Sequence, residues 1–318
     1  MKTALITGIT GQDGGYLAEI LLDKNYQVHG LIRRSASPNL WRLKDCIDRI
    51  KLIDGDLTDQ TSLIGIVDKV KPDEIYNLAG QSFVPTSWTQ PIHTADINAL
   101  GVNRLLEAIK IVNPKIKFFQ ASTSEMFGRV ESSPQDETTV FHPRSPYGIS
   151  KVYAHYITIN YRESYGIPAC SGIMFNHESP RRGEDFVSKR ITKQMVALAK
   201  KKTDKIILGN LDAKRDWGYA PDYMEAVWLI LQQEIPDDYV IATGVTHSVR
   251  EFVEECQNYL ALKDIVIEQD PSLCRPAEVH ELCGNATKIY QKLGWSPKIK
   301  FGELIKLMID YELGTMEN

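Results

Sequence analysis

Three glycines near the N-terminus, in the stretch TGITGQDGGYL, constrain the fold of this chain more than any other feature. They follow the apolar run TALIT, which is typical of a β-strand, and they precede GYLAEILLDK, whose apolar spacing predicts a helix. Gly8, Gly11 and Gly14 have the spacing G-x-x-G-x-x-G, and glycine lets a backbone turn tightly and approach a pyrophosphate. The N-terminus of the following helix presents free N–H groups to the same anion. The stretch therefore predicts a dinucleotide-binding strand–turn–helix unit.

Strand-like and helix-like runs alternate through the first half of the chain. This pattern predicts an α/β fold, namely a doubly wound parallel Rossmann sheet with helices on both faces. The second half is less regular and predicts a smaller, mixed α/β C-terminal domain, but DYVIATG reads as a further strand of the first sheet. We therefore expect two interleaved domains, a cofactor domain of residues 1–171 plus 216–244 and a second domain of residues 172–215 plus 245–318.

Charge, hydropathy and cysteine content exclude several classes of function. The net charge of −4 gives no basic excess for nucleic acid or an anionic membrane. No apolar run approaches the roughly 20 residues that span a bilayer, and the N-terminus lacks the pattern of a secretory signal. Five cysteines without a C-x-x-C pair favour reduced thiols, and the spacing of Cys274, His280 and Cys283 matches no familiar zinc pattern. We expect a cytoplasmic protein without metal, nucleic acid or membrane partners.

The end of the second predicted strand reads LIRRSAS and indicates which dinucleotide is bound. NAD-binding folds usually carry an acidic residue there, on the ribose 2′-hydroxyl. Arg33 and Arg34 stand in its place with Ser35 beside them, and guanidinium groups suit the 2′-phosphate of NADP. The alternative is a basic surface turn. The sequence predicts NADP.

A tyrosine and a lysine four residues apart, Tyr147 and Lys151 in RSPYGISK, form the main catalytic candidate. On a helix both lie on one face, and a lysine ammonium is expected to lower the pKa of a nearby phenol. Such a tyrosine can exchange a proton with a substrate hydroxyl while hydride moves to or from a nicotinamide. The hydroxyl-rich stretch ASTSEMFG adds Glu125, which is either a reagent or a solvated loop acid.

These motifs together resemble the extended short-chain dehydrogenases/reductases. Longer segments resemble the GDP-mannose 4,6-dehydratase family in particular, from one end of the chain to the other. The most specific are FNHESPRRGE and GNLDAKRDWGYAPDY, and the others are GITGQDG, RRS, GDLTD, NLAGQS, ASTSEMFG, PRSPYGISK, NYRESYGI and RPAEV.

The resemblance implies conversion of GDP-mannose to GDP-4-keto-6-deoxymannose with tightly held NADP, and it assigns four catalytic residues. Tyr147, with Lys151 near it, would take the proton of the 4-hydroxyl. Thr123 would hydrogen-bond the oxygen of that hydroxyl. The 4-keto group would make the C5 proton acidic. Glu125 would remove that proton and then protonate the departing 6-hydroxyl.

By the same resemblance, the smaller domain binds the nucleotide sugar, and binding residues carry over by position. The cofactor contacts would be Gly8, Thr10, Gly11, Gln12, Asp13, Gly14, Arg33, Arg34, Ser35, Asp56, Leu57, Leu78, Ala79, Gln81, Ser82, Tyr147, Lys151, His177 and Arg182. The substrate contacts would be Ser82, Asn176, Lys189, Arg215, Arg275 and Glu278. Arg215 and Arg275 also have a physical rationale, because a diphosphate needs bidentate cations, although both could form structural salt bridges instead. His93 stands where related chains have a cofactor-reaching tyrosine, and we expect no ligand role for it.

The loop RRSASPNLWR and the segment HESPRRGE imply a homo-oligomer, expected as a tetramer of dimers, because the family shares these regions between subunits. The alternatives are a dehydratase of another GDP-sugar such as GDP-manno-heptose, an NADPH-dependent GDP-4-keto-sugar reductase or epimerase, and a non-catalytic NADP sensor. A reductase would not need Glu125 and would consume NADPH stoichiometrically.

Overall fold

The computed structural model describes residues 1–316, which form strands and helices in regular alternation over the first half. The strands are β1 (Thr3–Thr7), β2 (Gln27–Ile32), β3 (Ile50–Asp54), β4 (Glu74–Asn77), β5 (Lys117–Thr123), β6 (Ala169–Met174), β7 (Asn176–Glu178), β8 (Ile206–Leu208), β9 (Lys214–Tyr219), β10 (Tyr239–Ile241), β11 (Thr246–Ser248), β12 (Ile267–Gln269) and β13 (Glu281–Leu282). The α-helices are α1 (Gln12–Asp23), α2 (Gln60–Val70), α3 (Thr86–Thr89), α4 (Pro91–Ala95), α5 (Gly101–Val112), α6 (Pro146–Tyr165), α7 (Val187–Ala199), α8 (Ala220–Gln232), α9 (Val249–Tyr259), α10 (Thr287–Leu293) and α11 (Phe301–Thr315).

Seven parallel strands form the main sheet in the order β10-β6-β5-β4-β1-β2-β3. The order reverses between β1 and β4, and ligands bind at such a switch point beside the carboxyl ends of the strands. The predicted doubly wound sheet is confirmed, and so is the prediction that DYVIATG joins it, as β10.

Helices cover both faces of this sheet because its central strands are apolar on both sides. Ala4 and Ile6 of β1 face a core with α1 and α8, whereas Leu5 between them faces a core with α2 and α5. Successive side chains of a strand point to opposite faces, so a continuous apolar run fills two cores at once.

A smaller unit is built around β9, which pairs with β7, β11 and β13, while β8 pairs with β12. Helices α7, α9 and α11 pack there around the buried Trp217. The division into residues 1–171 plus 216–244 and residues 172–215 plus 245–318 stays a prediction. Strand β6 extends across the boundary between residues 171 and 172. None of the helices within residues 1–316 combines the length and the apolar character that crossing a bilayer requires.

Candidate active site

A cleft of about 1050 Å³ opens at the switch point, between the main sheet and the smaller unit. The glycine turn, the ends of β4 and β5 and the first turns of α6 line it from the main sheet. Residues of β7, β9 and the segment before β13 line it from the other side. A cleft of this size lies at the upper end of the range for small-molecule and cofactor sites.

The backbone of the glycine turn is packed too closely for side chains, and it leaves the first turn of α1 open to a pyrophosphate. Gly8 has φ +70°, and a Cβ there would lie 2.7 Å from the backbone nitrogen of Ala79 after β4. A Cβ on Gly14 would lie 2.5 Å from the Cα of Ile9. Gly11 is the N-cap of α1 and has no side chain to cap the helix, so first-turn N–H groups can bind an anion.

Asp13 and His177 form an ion pair beside this turn. The Asp13 carboxylate lies 2.9 Å from Nε2 of His177, and the carbonyl oxygen of Phe175 lies 2.7 Å from its Nδ1. Both ring nitrogens face acceptors, so both must donate and the imidazole is charged. Burial alone would lower the pKa of His177, but the Asp13 carboxylate raises it. Burial likewise opposes ionisation of Asp13, but His177 holds the pKa of Asp13 at about 2.

Thr123 and Glu125 reach the cleft because β5 ends there and continues into the 3-10 turn Ser124–Met126. The Thr123 hydroxyl accepts a hydrogen bond of 3.3 Å from the Glu125 amide. The first turn of α6 packs on this turn, since a Cβ on Gly148 would lie 2.8 Å from the carbonyl oxygen of Glu125. Ser145 caps α6 by accepting from the Gly148 amide at 3.0 Å. Glu125 and Tyr147 are thereby held side by side.

Arg275 of the smaller unit binds the buried Glu125 from across the cleft. One guanidinium nitrogen, Nη1, lies 3.0 and 3.2 Å from the two carboxylate oxygens. Burial alone would raise the pKa of Glu125, but the charges of Arg275 and Arg215 outweigh burial and lower it. Arg215 itself lies 3.6 Å from Glu278 and donates to the carbonyl oxygen of Val279 at 2.8 Å. Two arginines and two carboxylates therefore meet at this end of the cleft.

Tyr147 and Lys151 lie one helical turn apart on α6, and both are buried in the cleft wall. Burial raises the pKa of Tyr147 to about 12, and the Thr123 hydroxyl offsets only part of this. Burial lowers the pKa of Lys151 to about 8, and its ammonium donates to the carbonyl oxygen of Ala121 at 2.9 Å. Burial is the largest influence on the pKa of Tyr147, and the Lys151 ammonium lies 5.9 Å from the centre of the Tyr147 ring, so the expected lowering of this pKa by the lysine stays a prediction.

Most of the residues predicted for the site line one cleft. These are Gly8, Thr10, Gly11, Gln12, Asp13, Gly14, Arg33, Asp56, Leu57, Leu78, Ala79, Gln81, Ser82, Thr123, Glu125, Tyr147, Lys151, Asn176, His177, Arg182, Arg215, Arg275 and Glu278.

Three predicted residues lie outside the cleft lining, counted over residues 1–316. Arg34 and Ser35 are exposed beyond the end of β2. Lys189 is buried on α7, where it pairs with Glu312 of α11 and donates to the carbonyl oxygen of Pro180 at 2.8 Å. The structure thus does not bring Lys189 to the substrate side.

Sequence reasoning missed residues that shape the cleft through long-range contacts. Arg42 lines it and donates to the carbonyl oxygens of Arg181 at 2.7 Å and Thr10 at 3.4 Å. Asn98 is buried in a π-helical turn and exchanges hydrogen bonds of 2.8 and 2.9 Å with the backbone of Gln81. His93 also lines the cleft, although no ligand role was expected for it. Only the arginine-rich loop around Arg42 gave a local signal.

Comparisons with known proteins show which proteins this chain resembles in sequence and fold. A model of the family described as GDP-mannose 4,6 dehydratase matches residues 5–308. The chain is 52% identical to GDP-mannose 4,6 dehydratase 1 of Arabidopsis thaliana, over 98% of this chain and 90% of that protein. It is 48% identical to a GDP-mannose 4,6-dehydratase of Vibrio cholerae, over 98% and 94%. A solved UDP-glucose 4-epimerase of Thermus thermophilus in complex with NAD has a TM-score of 0.86 at 26% identity, covering 98% of this chain and 99% of that one.

Proposed function

The chain belongs to the GDP-mannose 4,6-dehydratase family, and we propose that Thr123, Glu125, Tyr147 and Lys151 carry out the family's reaction in this cleft. The chain is an enzyme of GDP-mannose dehydration, which forms GDP-4-keto-6-deoxymannose and water. The observation that best supports the residue assignment is the meeting of Glu125 with Tyr147. Glu125, in the turn after β5, and Tyr147, in the first turn of α6, line the same cleft, and the charge of Glu125 contributes to the raised pKa of Tyr147.

Each of the four residues has a proton-transfer or positioning role that fits its place. Tyr147 takes the proton of the sugar 4-hydroxyl, and Thr123, which hydrogen-bonds that phenol, holds the same oxygen. Lys151 stays close to Tyr147 on α6 and stabilises the phenolate. Glu125 takes the C5 proton after oxidation at C4 and donates it to the departing 6-hydroxyl. One carboxylate can do both because the two steps follow each other on neighbouring carbons.

The nicotinamide cofactor is proposed to be NADP. When bound, it supplies the hydride acceptor at C4 and the donor of the same hydride at C6. Gly8, Gly11 and Gly14 would hold its pyrophosphate, and Arg33, which lines the cleft after β2, would hold the 2′-phosphate. His177 lies beside the glycine turn, where the Asp13 carboxylate balances its charge. An NAD complex of a relative at 26% identity supports a nicotinamide cofactor in the same fold.

We also propose a homo-oligomer, expected as a tetramer of dimers in the cytoplasm. Ile149, Tyr153 and Tyr156 are exposed by 59, 40 and 57% on α6, and their spacing places them in one stripe. An exposed apolar stripe of this kind favours burial against a second copy. Light scattering of the purified protein measures its mass in solution, and a monomer would contradict this proposal.

Incubation with a panel of GDP-sugars, without added NADPH, tests the function. Mass spectrometry should detect loss of one water from GDP-mannose, with slower or no loss from other GDP-hexoses. The variant Glu125→Gln should retain bound cofactor and lose dehydration by about a thousandfold or more, since a general acid–base contributes about 10²–10⁴-fold. Near-normal dehydration by that variant would refute the role of Glu125. A requirement for stoichiometric NADPH would favour a reductase.

A further inference from the structure

The ion pair between Glu125 and Arg275 joins a residue of the main sheet to a loop of the smaller unit. Glu125 is 9% exposed, and both of its carboxylate oxygens lie within 3.2 Å of the same guanidinium nitrogen. Arg275 lies between the 3-10 turn Pro271–Leu273 and β13, in a segment without a helix or a strand. Such a segment can move more readily than the strand that carries Arg215.

This pairing conflicts with the chemistry required of Glu125. A carboxylate that binds a guanidinium is a weaker base, because the cation stabilises the ionised form. The C5 proton of a 4-keto sugar is only weakly acidic, so removing it needs the stronger base. The pKa of Glu125 is lowered accordingly, because the charges of Arg275 and Arg215 outweigh the effect of burial.

The other charged groups around Glu125 do not replace Arg275 in this role. Arg215 of β9 faces Glu125 but lies beside Glu278 and donates to backbone carbonyl oxygens of Lys214 and Val279. Tyr147 of α6 carries no positive charge in either of its protonation states. Arg275 is therefore the cation that directly occupies the carboxylate.

A diphosphate can compete for that guanidinium. Phosphate oxygens accept bidentate hydrogen bonds from arginine at least as well as a carboxylate does. A nucleoside diphosphate sugar brings its diphosphate and its hexose into the cleft together, so the cation would leave Glu125 as the hexose arrives. The added negative charge would also strengthen Glu125 as a base.

We propose that Arg275 is a positioning residue that holds Glu125 until the diphosphate of a nucleoside diphosphate sugar takes its guanidinium. The proposal rests on the proposed function of the cleft. It makes Glu125 a competent base only when substrate is bound.

Titration of the Glu125 carboxyl by ¹³C NMR, assigned with Glu125→Gln, tests this coupling without turnover. The probes are GDP, which carries the diphosphate, and guanosine, which lacks it. GDP should raise the pKa of Glu125 in the holoenzyme, and guanosine should leave it unchanged. Arg275→Ala should raise that pKa before any ligand is added and should reduce the further effect of GDP. The matched control is Arg250→Ala, which removes an exposed arginine paired with Asp212 and should change neither titration.

Kinetics of the same variants give a second readout. Arg275→Ala should raise KM for GDP-mannose about ten- to hundredfold, the size expected for a lost charge-assisted hydrogen bond. It should also move the acidic limb of the pH profile of kcat/KM, which reports the free enzyme, upward, and it should leave the acidic limb of kcat, which reports the substrate complex, nearly unchanged. Arg275→Lys retains a cation without the planar guanidinium, so it should show the same changes in smaller measure. Thermal melting of both Arg275 variants reports whether they fold.

The outcomes separate this proposal from the proposed function. A Glu125 pKa that does not respond to GDP, or failure of GDP to bind, would overturn the coupling. So would an unchanged pKa in Arg275→Ala. If the carboxyl titrates as expected but wild-type enzyme does not dehydrate GDP-mannose, the proposed function fails and the coupling of Arg275 to a diphosphate stands.

Discussion

The pKa values of single residues in this cleft depend on burial and on the charges of neighbouring residues. Glu125 and Tyr147 lie side by side, yet the pKa of Glu125 is lowered and the pKa of Tyr147 is raised to about 12. Arginines face the acid, while burial dominates the phenol. Pairs of titratable groups whose pKa values are pushed apart are typical of acid–base sites.

The Asp13–His177 pair should make stability depend on pH. The pKa of His177 is raised on folding, so its contribution is complete below the ordinary histidine pKa of about 6.5 and is lost as pH rises through the folded value. The pKa of Asp13 falls to about 2, so its contribution persists above about 3.9 and is lost as pH falls toward about 2.

Asp13→Asn should therefore destabilise the fold by about 1.5–3 kcal/mol, the contribution of a hydrogen bond to a charged group, between about pH 4 and 6.5. The difference from wild type should shrink above the raised pKa of His177. Thermal melting across pH measures both effects. Asp212→Asn, at an exposed pair with Arg250, is the control and should change little. A pH-independent difference for Asp13→Asn would contradict a charged His177.

Cofactor choice should depend on the arginines after β2. Arg33→Ala combined with Arg34→Ala should weaken NADP at least about tenfold while changing NAD little, because only NADP carries the 2′-phosphate. Fluorescence titration of the apoenzyme with each dinucleotide measures this ratio. Arg49→Ala, at an exposed arginine near Asp23, is the control. Equal weakening of both dinucleotides would show that the arginines do not read the 2′-phosphate.

At the scale of elements, the sequence predicted what local periodicity encodes. The glycine turn, the strands of the main sheet and α6 depend on apolar spacing and on glycine, so they could be read directly. The π-helical turn that carries Asn98 could not be predicted, because its reason is a contact with Gln81 in another loop. The two- and three-residue strands around β9 were also missed, because strands that short carry no periodicity.

The close contact between α6 and the 3-10 turn predicts an effect of one methyl group. Gly148→Ala should lower kcat about tenfold or more and destabilise the protein by about 1–3 kcal/mol, since overpacking moves Tyr147 away from Glu125. The control is Gly65→Ala on α2, where a Cβ would meet nothing within 4 Å. This substitution should stabilise the helix by about 0.5–1 kcal/mol. Steady-state kinetics and thermal melting measure both variants, and an unchanged kcat for Gly148→Ala would contradict the packing argument.

At the scale of the whole molecule, the site exists only where the two units meet. The buried Asp216 of β9 accepts hydrogen bonds from Thr243 and Gly244, which follow β10, and from Gly284, which follows β13. This carboxylate ties the smaller unit to the edge of the main sheet next to Arg215. Contacts over such sequence separations, like the one between Glu125 and Arg275, depend on tertiary structure and left no local pattern to read.

Following a deuterium label from C4 of GDP-mannose tests the central claim most directly. If one bound cofactor takes hydride from C4 and returns it to C6, the product should lose one water and keep the deuterium, now at C6, without added NADPH. Mass spectrometry with fragmentation locates the label. Loss of the deuterium to added unlabelled cofactor, or a product that retains its 6-hydroxyl, would contradict the account.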